Sequence, residues 1–170
     1  MKAAIVMGSK SDYPIVKKAE SIFTDFGVDF ETRIISAHRT PRIAEKFASE
    51  AEENGIEVMI AAAGKAAHLG GVLAAYTAMP VIGLPIKSST LDGLDSLLSM
   101  VQMPKGVPVA TVAIDGAENA ALLAIQILSV KYPELRKKMK KYKVKMEAEI
   151  VKQDNELITS KMHSTGAQYL

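Results

Sequence analysis

The sequence predicts an α/β fold in which helices cover both faces of a parallel sheet. Short apolar runs alternate along the chain with longer segments that carry apolar residues at helical spacing. Strands that alternate with helices are joined by right-handed crossovers, and such strands lie parallel. Most of the strand runs are continuously apolar, as expected where both faces of a sheet are covered.

The first part of the chain contains three predicted strands, the runs Ala3–Met7, Val28–Ile35 and Glu57–Ala63. Between the first two, Asp12–Asp25 places its apolar residues on one face of a helix, which Gly27 ends. Pro41 begins the second helix, because a missing N–H costs nothing in the first turn, and Gly55 ends it.

The second part continues the same alternation. Its predicted elements are the strands Val81–Leu84 and Val107–Ile114 and the helices Val72–Ala78, Leu91–Met100 and Ala117–Val130. The 21 residues of Ala66–Ile86 carry no Asp, Glu, Lys or Arg, which is nominally long enough to span a bilayer. Its glycines and prolines divide it into a loop, a short helix and a strand, so we predict a buried core segment and no membrane span.

Composition excludes several classes of protein. The 170 residues suit one compact domain, and the absence of Cys excludes disulfides, thiolate zinc sites and cysteine nucleophiles. A net charge of +2 and 5% aromatic residues do not indicate a nucleic-acid partner. The N-terminus lacks the features of a signal peptide, and we expect a cytoplasmic protein.

The C-terminal segment differs from the rest. We divide the chain into an α/β domain at residues 1–130, an amphipathic helix at 131–154 and a polar tail at 155–170. Between Lys131 and Lys152 there are nine basic and three acidic residues. A narrow apolar stripe runs along this helix at Leu135, Met139, Tyr142, Met146 and Ile150. The stripe packs either on its own domain or on a neighbouring subunit, and the sequence favours neither; a basic helix on a membrane surface is a weaker third reading.

Ligands of open parallel sheets bind outside the carboxyl ends of the strands, so the loops there carry the candidate chemistry. Gly8, Ser9, Lys10, Ser11 and Asp12 follow the first strand and open a helix. A helix N-terminus offers free N–H groups to an anion, and the serines add hydroxyl donors. The alternative is a capped turn without a ligand, which these residue types also favour.

The next two loops each contain a histidine. Ser36, His38 and Arg39 follow the second strand, and an arginine can clamp a phosphate while a histidine titrates near neutral pH. Gly64 and His68 follow the third strand, where the alternative is a histidine satisfied in the core. No dinucleotide-binding, P-loop or paired-histidine metal motif occurs, so we predict neither a nucleotide cofactor nor a metal.

At these loops the sequence closely resembles the N5-carboxyaminoimidazole ribonucleotide mutases of purine biosynthesis. The matching stretches are MGSKSD (Met7–Asp12), SAHRTP (Ser36–Pro41), AAGKAAHL (Ala62–Leu69), LDGLDSLLSMVQMPKGVPVAT (Leu91–Thr111) and ENAALLAIQIL (Glu118–Leu128). The resemblance implies a three-layer α/β/α sandwich with a flavodoxin-like parallel sheet, assembled as a homo-octamer with active sites between subunits. It also implies transfer of a carboxylate from the exocyclic nitrogen of a phosphoribosyl aminoimidazole to ring C4, without a cofactor.

The resemblance implies roles for individual residues as well. His38 matches the general acid/base, and Ser9, Asp12 and Arg39 match the residues that bind the ribose phosphate. The remaining pocket residues are Ser11, Ser36, Gly64, His68 and Leu69.

Two positions depart from the mutase pattern, because Lys65 replaces a Gly and Gly70 replaces a Pro. A sister subtype that carboxylates aminoimidazole ribonucleotide directly resembles Ala-Gly-Arg-Ser-Asn at this loop, and Lys65 resembles its Arg. The Ala66-Ala67-His68 that follows matches the mutase, which we favour. The alternatives are that direct carboxylase or, from a different class, a non-catalytic nucleotide-sensing module.

Overall fold

The computed structural model describes residues 1–89 and 91–166, with side chains as far as Ser160. The strands are β1 Lys2–Met7, β2 Asp29–Ile34, β3 Val58–Gly64, β4 Val81–Ile86 and β5 Ala110–Thr111. The helices are α1 Tyr13–Phe26, α2 Pro41–Ser49, α3 Leu69–Ala75, α4 Leu94–Val101, α5 Ala117–Leu128 and α6 Pro133–Gly166. Short 3₁₀ turns at Lys10–Asp12 and Leu91–Gly93 precede α1 and α4.

The described residues form a five-stranded, all-parallel sheet in the order β2-β1-β3-β4-β5. This confirms the predicted flavodoxin-like α/β fold. The chain leaves β1 toward β2 on one side and returns to β3 on the other, so strand order reverses beside β1. A crevice opens at such a reversal, outside the carboxyl ends of the strands.

Alternate residues of each strand point to opposite faces, and each face has its own core. On one face, Ile5 of β1 and Ile60 of β3 lie in the cluster that contains the buried residues of α1, α5 and the start of α6. On the other face, Val6 and Met59 lie in the cluster that contains those of α2, α3 and α4. The result is the predicted three-layer sandwich.

Helix boundaries on the site side differ from the prediction. α3 begins at Leu69, three residues before the predicted Val72, because the glycines that resembled a loop lie inside the helix. A Cβ at Gly71 would meet Met103 Cε at 2.7 Å and one at Gly70 would meet Val109 Cγ1 at 3.4 Å, so the missing side chains allow close packing. α2 ends at Ser49, and turns connect it to Gly55, at which φ is +75°.

The predicted fifth strand, Val107–Ile114, is wrong in length. Only Ala110–Thr111 pairs as a strand, at the edge of the sheet beside β4. Pro108 has no N–H to donate, and an edge strand has a partner on one side only. Beyond the strand, isolated bonds from Val112 N to Gly83 O (3.0 Å) and from Asp115 N to Pro85 O (2.9 Å) still hold the segment against β4.

The apolar stripe of α6 divides into two parts. Leu135 and Met139 are buried on the domain, and the ring of Tyr142 lies 5.7 Å from that of Phe26. Met146 and Ile150 are 47% and 64% exposed in the single chain. The helix also continues through most of the polar tail to Gly166, whereas residues 167–170 lie outside the described residues.

No helix within the described ranges is both long enough and apolar enough to cross a membrane. The uncharged stretch Ala66–Ile86 divides between α3 and β4, two short elements that bury Leu69, Leu73 and the whole of β4.

Candidate active site

The carboxyl ends of β1, β2, β3 and β4 meet around a cavity of about 640 Å³. The loops after these four strands supply most of its wall. The lining residues are Gly8, Ser9, Ser11, Asp12, Ser36, Ala37, His38, Arg39, Ala63, Gly64, Lys65, Ala66, Leu69, Ile86, Lys87, Ser88 and Ser89.

The structure brings eight of the nine candidate residues into this cavity. They are Ser9, Ser11, Asp12, Ser36, His38, Arg39, Gly64 and Leu69. The ninth, His68, lines a neighbouring cavity of about 720 Å³ between α2, α3 and α4, and contacts His38 at the boundary between the two.

The turn after β1 is held in a shape that suits an anion. Gly8 donates its N–H to Ala62 O of β3 at 3.0 Å, which fixes the turn against the neighbouring strand. Ser9 caps the 3₁₀ turn by accepting from Ser11 N at 3.3 Å, and Ser11 Oγ lies 2.9 Å from Ser9 Oγ. Since α1 follows directly, its N-terminal dipole and unpaired N–H groups act on the same side as these hydroxyls.

Asp12 is a buried carboxyl at the end of this turn, with 8% of its surface exposed. Burial raises the pKa of Asp12, while hydrogen bonds from Ser11 and the Ser9 backbone, and the charge of Arg39, oppose the rise. The side chain makes no capping bond to α1, and its Oδ1 lies 3.1 Å from Ser11 Oγ. The carboxyl therefore remains available as an acceptor for a ligand hydroxyl.

Arg39 connects the second loop to the first. Its Nη2 donates to Gly8 O at 2.7 Å, and its Nε donates to Ser36 Oγ at 3.3 Å. These bonds hold the planar guanidinium beside the Gly8–Asp12 turn, with further N–H groups left to donate. Arg39 and the turn together form a corner whose hydrogen-bond donors suit an anion, and it is called the anion-binding corner below.

His38 and His68 are in direct contact. His38 Nε2 lies 3.0 Å from His68 Nδ1, and the two rings meet edge to face at 84°. Because a neutral imidazole has one donor and one acceptor nitrogen, one ring must donate in this bond and the other accept. The tautomer of His38 therefore depends on the tautomer of His68.

The loop after β3 is lined by small side chains. Ala63 and Ala66 line the cavity, whereas Ala67 is fully buried in the core. Lys65 lies between Gly64 and Ala66 with φ of +59°, in the left-handed region.

The loop after β4 also lines the cavity, although no sequence motif identifies it. It contributes Lys87, Ser88 and Ser89. Lys87 donates its N–H to Asp115 Oδ1 at 2.9 Å, and its Nζ lies 3.1 Å from Asp92 Oδ1. Its position alone could have identified it. Lys-Ser-Ser follows a buried strand, and the carboxyl end of that strand lies at the same edge of the sheet as those of the other parallel strands.

Within the described residues, no group of three or more His, Cys, Asp or Glu side chains is arranged to hold a metal ion. The fold and site together define a parallel α/β domain with a polar pocket, suited to an anion, at the carboxyl edge of its sheet.

Comparison with known proteins identifies the family. A family model described as AIR carboxylase matches residues 2–149. The N5-carboxyaminoimidazole ribonucleotide mutase of Pyrococcus abyssi is 63% identical over 145 residues, covering 85% of this chain and 83% of that protein. The enzyme of the same name from Thermotoga maritima is 55% identical, covering 92% and 91%. This chain belongs to the AIR carboxylase family.

A longer relative and a solved structure support the same family assignment. The phosphoribosylaminoimidazole carboxylase of Candida glabrata is 51% identical over 95% of this chain, which spans 28% of that longer protein. The crystal structure of Treponema denticola PurE matches with a TM-score of 0.84 and 30% identity, covering 92% of this chain and 98% of that one. The resemblance seen in the sequence motifs therefore holds for the whole fold.

Proposed function

We propose that this chain is an N5-carboxyaminoimidazole ribonucleotide mutase of purine biosynthesis, an isomerase that moves a carboxylate from the exocyclic nitrogen to ring C4. The proposal rests on one observation, that His38 and the anion-binding corner line the same cavity. The identity to mutases of the same name supports the choice of subtype.

The anion-binding corner holds the ribose phosphate. Ser9 and Ser11 donate hydroxyls, Arg39 donates from its remaining N–H groups, and the start of α1 adds a favourable dipole. Asp12 accepts from a ribose hydroxyl, because its carboxyl points into the same cavity. The ester is thereby fixed at one end, which leaves the imidazole ring to reach toward the loops after β2 and β3.

His38 moves the proton. As the N–C bond of the carbamate breaks, its electron pair returns to the exocyclic nitrogen, which takes a proton from His38, and carbon dioxide is released. Ring C4 then attacks the carbon dioxide to form a C–C bond, and the C4 proton passes back to His38. The protons balance over the cycle, so one histidine serves as acid and then as base.

His68 supports His38 in this cycle. Their 3.0 Å contact orients the His38 ring and offers a partner that accepts or returns a proton as His38 changes its charge. Ser36, Gly64 and Leu69 complete the wall around the ring. Ala63 and Ala66 provide a small apolar wall beside which the released carbon dioxide is retained.

The proposal includes assembly and location. A homo-octamer in the cytoplasm is supported by the family resemblance, by the exposed apolar residues of α4 and of the outer part of α6, and by the absence of Cys. The exposed residues of α4 are Leu94, Leu98 and Val101.

A substrate-selectivity assay tests the function. Purified protein is given either N5-carboxyaminoimidazole ribonucleotide or aminoimidazole ribonucleotide with bicarbonate, and formation of 4-carboxyaminoimidazole ribonucleotide is followed. We expect turnover with the first substrate. Turnover only with the second would assign the direct carboxylase instead, and binding of both without turnover would assign a sensing module.

A further inference from the structure

The cavity has three cationic side chains among its described lining residues, and two of them are already engaged. Arg39 bonds to Gly8 and Ser36 in the anion-binding corner. Lys87 Nζ is paired with Asp92 at 3.1 Å. Lys65 has no ion pair or hydrogen bond from its side chain to any described residue, although it lines the same cavity.

The backbone at Lys65 is strained for a lysine. Its φ of +59° lies in the left-handed region, which glycine adopts freely and which L-residues adopt at a cost. Lysine also lacks the short polar side chain with which Asn and Asp compensate by bonding locally. A side chain that persists at such a position beside a ligand cavity indicates a use for that side chain.

The position of Lys65 identifies that use. The proposed substrate carries two anionic groups, a phosphate and a carboxylate. The corner formed by Arg39 and the Gly8–Asp12 turn serves the phosphate, at the carboxyl ends of β1 and β2. Lys65 directly follows β3, close in the chain to Ala63 and Ala66, beside which the proposed function places the released carbon dioxide.

We propose that the Lys65 ammonium binds the carboxylate of the nucleotide, both as the carbamate of the substrate and as the C4 carboxylate of the product. This inference rests on the proposed function and adds to it a residue that determines selectivity for carboxylated nucleotides. The carboxylate is charged in substrate and product but becomes neutral carbon dioxide between them. Lys65 therefore acts on ground-state binding more than on the chemical step.

Binding measurements test the proposal independently of turnover. The affinity for 4-carboxyaminoimidazole ribonucleotide is compared with that for aminoimidazole ribonucleotide, which carries the phosphate but no carboxylate, by calorimetry on the full-length protein. In Lys65→Met the affinity for the carboxylated nucleotide should fall about tenfold, as expected for loss of one charge-assisted hydrogen bond. The affinity for the other nucleotide should change less than about twofold, and Lys65→Arg should restore most of the preference.

Two further variants separate charge from structure. Lys65→Gly should lose the same preference while unfolding at a temperature equal to or above that of the wild type, because glycine relieves the strain. Lys18→Met removes an exposed lysine of α1 outside the cavity and should leave both affinities unchanged.

The outcomes are distinct. An unchanged preference in Lys65→Met, or an equal loss of affinity for both nucleotides, would overturn the role of Lys65 whether or not the protein turns over. A wild type that shows the preference but no turnover of N5-carboxyaminoimidazole ribonucleotide would contradict the proposed function and leave Lys65 as a carboxylate-binding residue.

Discussion

At the scale of single residues, the proposed function gives different roles to residues that line one cavity. In that proposal Arg39 and Ser9 bind the phosphate, and His38 transfers the proton. The contact of His38 with His68 involves residues 30 positions apart, brought together because β2 and β3 flank β1. Substitutions at the two kinds of residue should therefore change different kinetic constants.

Arg39→Ala should weaken binding of phosphorylated ligands by about 10- to 100-fold, because it removes charge-assisted hydrogen bonds to the phosphate. The fall in kcat should be much smaller than the rise in KM. Isothermal titration with aminoimidazole ribonucleotide measures the affinity directly. An affinity equal to that of the wild type would remove Arg39 from phosphate binding.

Asp12→Asn should stabilise the fold at neutral pH. Burial raises the pKa of Asp12 above its ordinary value of 3.8, so the folded state binds its proton more tightly than the unfolded state does. The ionised carboxyl thus costs stability above the raised pKa, and this cost disappears as the pH falls below 3.8.

Thermal unfolding of Asp12→Asn and wild type across this pH range checks the sign. The variant should unfold at the higher temperature near neutral pH, and the two curves should converge in acid. An Asn variant that is less stable at neutral pH would show that the hydrogen bonds and the charge of Arg39 outweigh burial.

At the scale of elements, a cluster at the amino ends of the strands, opposite the candidate site, connects the N-terminus to the start of α6. Glu57 Oε2 accepts from Lys131 Nζ at 2.8 Å, and its Oε1 accepts from the Tyr132 hydroxyl at 2.9 Å. The amino group of Met1 lies 3.7 Å from the same carboxylate. Burial raises the pKa of Glu57, but the hydrogen bonds from Lys131 and Tyr132 with the nearby positive charges lower it overall.

Glu57→Gln should reduce the free energy of unfolding at neutral pH by about 0.5–1 kcal/mol, a modest figure because the cluster is partly exposed to solvent. The stabilisation is present above the ordinary pKa of 4.5 and is lost as the pH falls through the lowered value. Urea unfolding at neutral and acid pH measures it, with the exposed Glu53→Gln as control. A difference from wild type that persists in strong acid would contradict the assigned role of the carboxylate charge.

The elements that the sequence predicts well are those whose signal is local. β1, β3 and β4 are continuous apolar runs, and α1 ends at Gly27, whose φ of +67° a glycine adopts without strain. The length of β5 depends on a single neighbouring strand, and the helical state of Gly70 and Gly71 depends on Val109 and Met103, which lie far along the chain. Such tertiary effects leave no local pattern.

The same distinction applies to the site. Residues that follow apolar strands could be placed at one edge, because parallel strands bring their carboxyl ends together. The bond between His38 and His68, the location of His68 in a second cavity and the pairing of Lys87 with Asp92 required the folded chain. The outer part of α6 also required the folded chain. The helix continues into the polar tail, where no apolar periodicity predicts a helix.

At the scale of the whole molecule, α6 extends beyond the domain that its first turns cover. Its apolar stripe is buried at Leu135 and Met139 but exposed from Met146 onward. An exposed stripe on an otherwise charged helix suits a helix–helix contact between subunits.

Replacing Ile150 and Leu157 together by lysine should therefore shift the sedimentation of the protein to smaller species. Both side chains are more than half exposed, so the fold of each chain should keep its thermal stability. Asn155→Lys, on another face of the helix, is the matched control. An unaltered oligomer in the double variant would place this surface outside the essential contacts.

The proposed mechanism depends on His38 moving protons within the cavity that is proposed to bind the phosphate ester. The most direct measurement is steady-state turnover of N5-carboxyaminoimidazole ribonucleotide by the wild type and by His38→Asn, together with their affinities for aminoimidazole ribonucleotide. We predict that kcat falls by about 10²–10⁴ in the variant while nucleotide affinity stays close to that of the wild type. A variant with the kcat of the wild type would contradict the account.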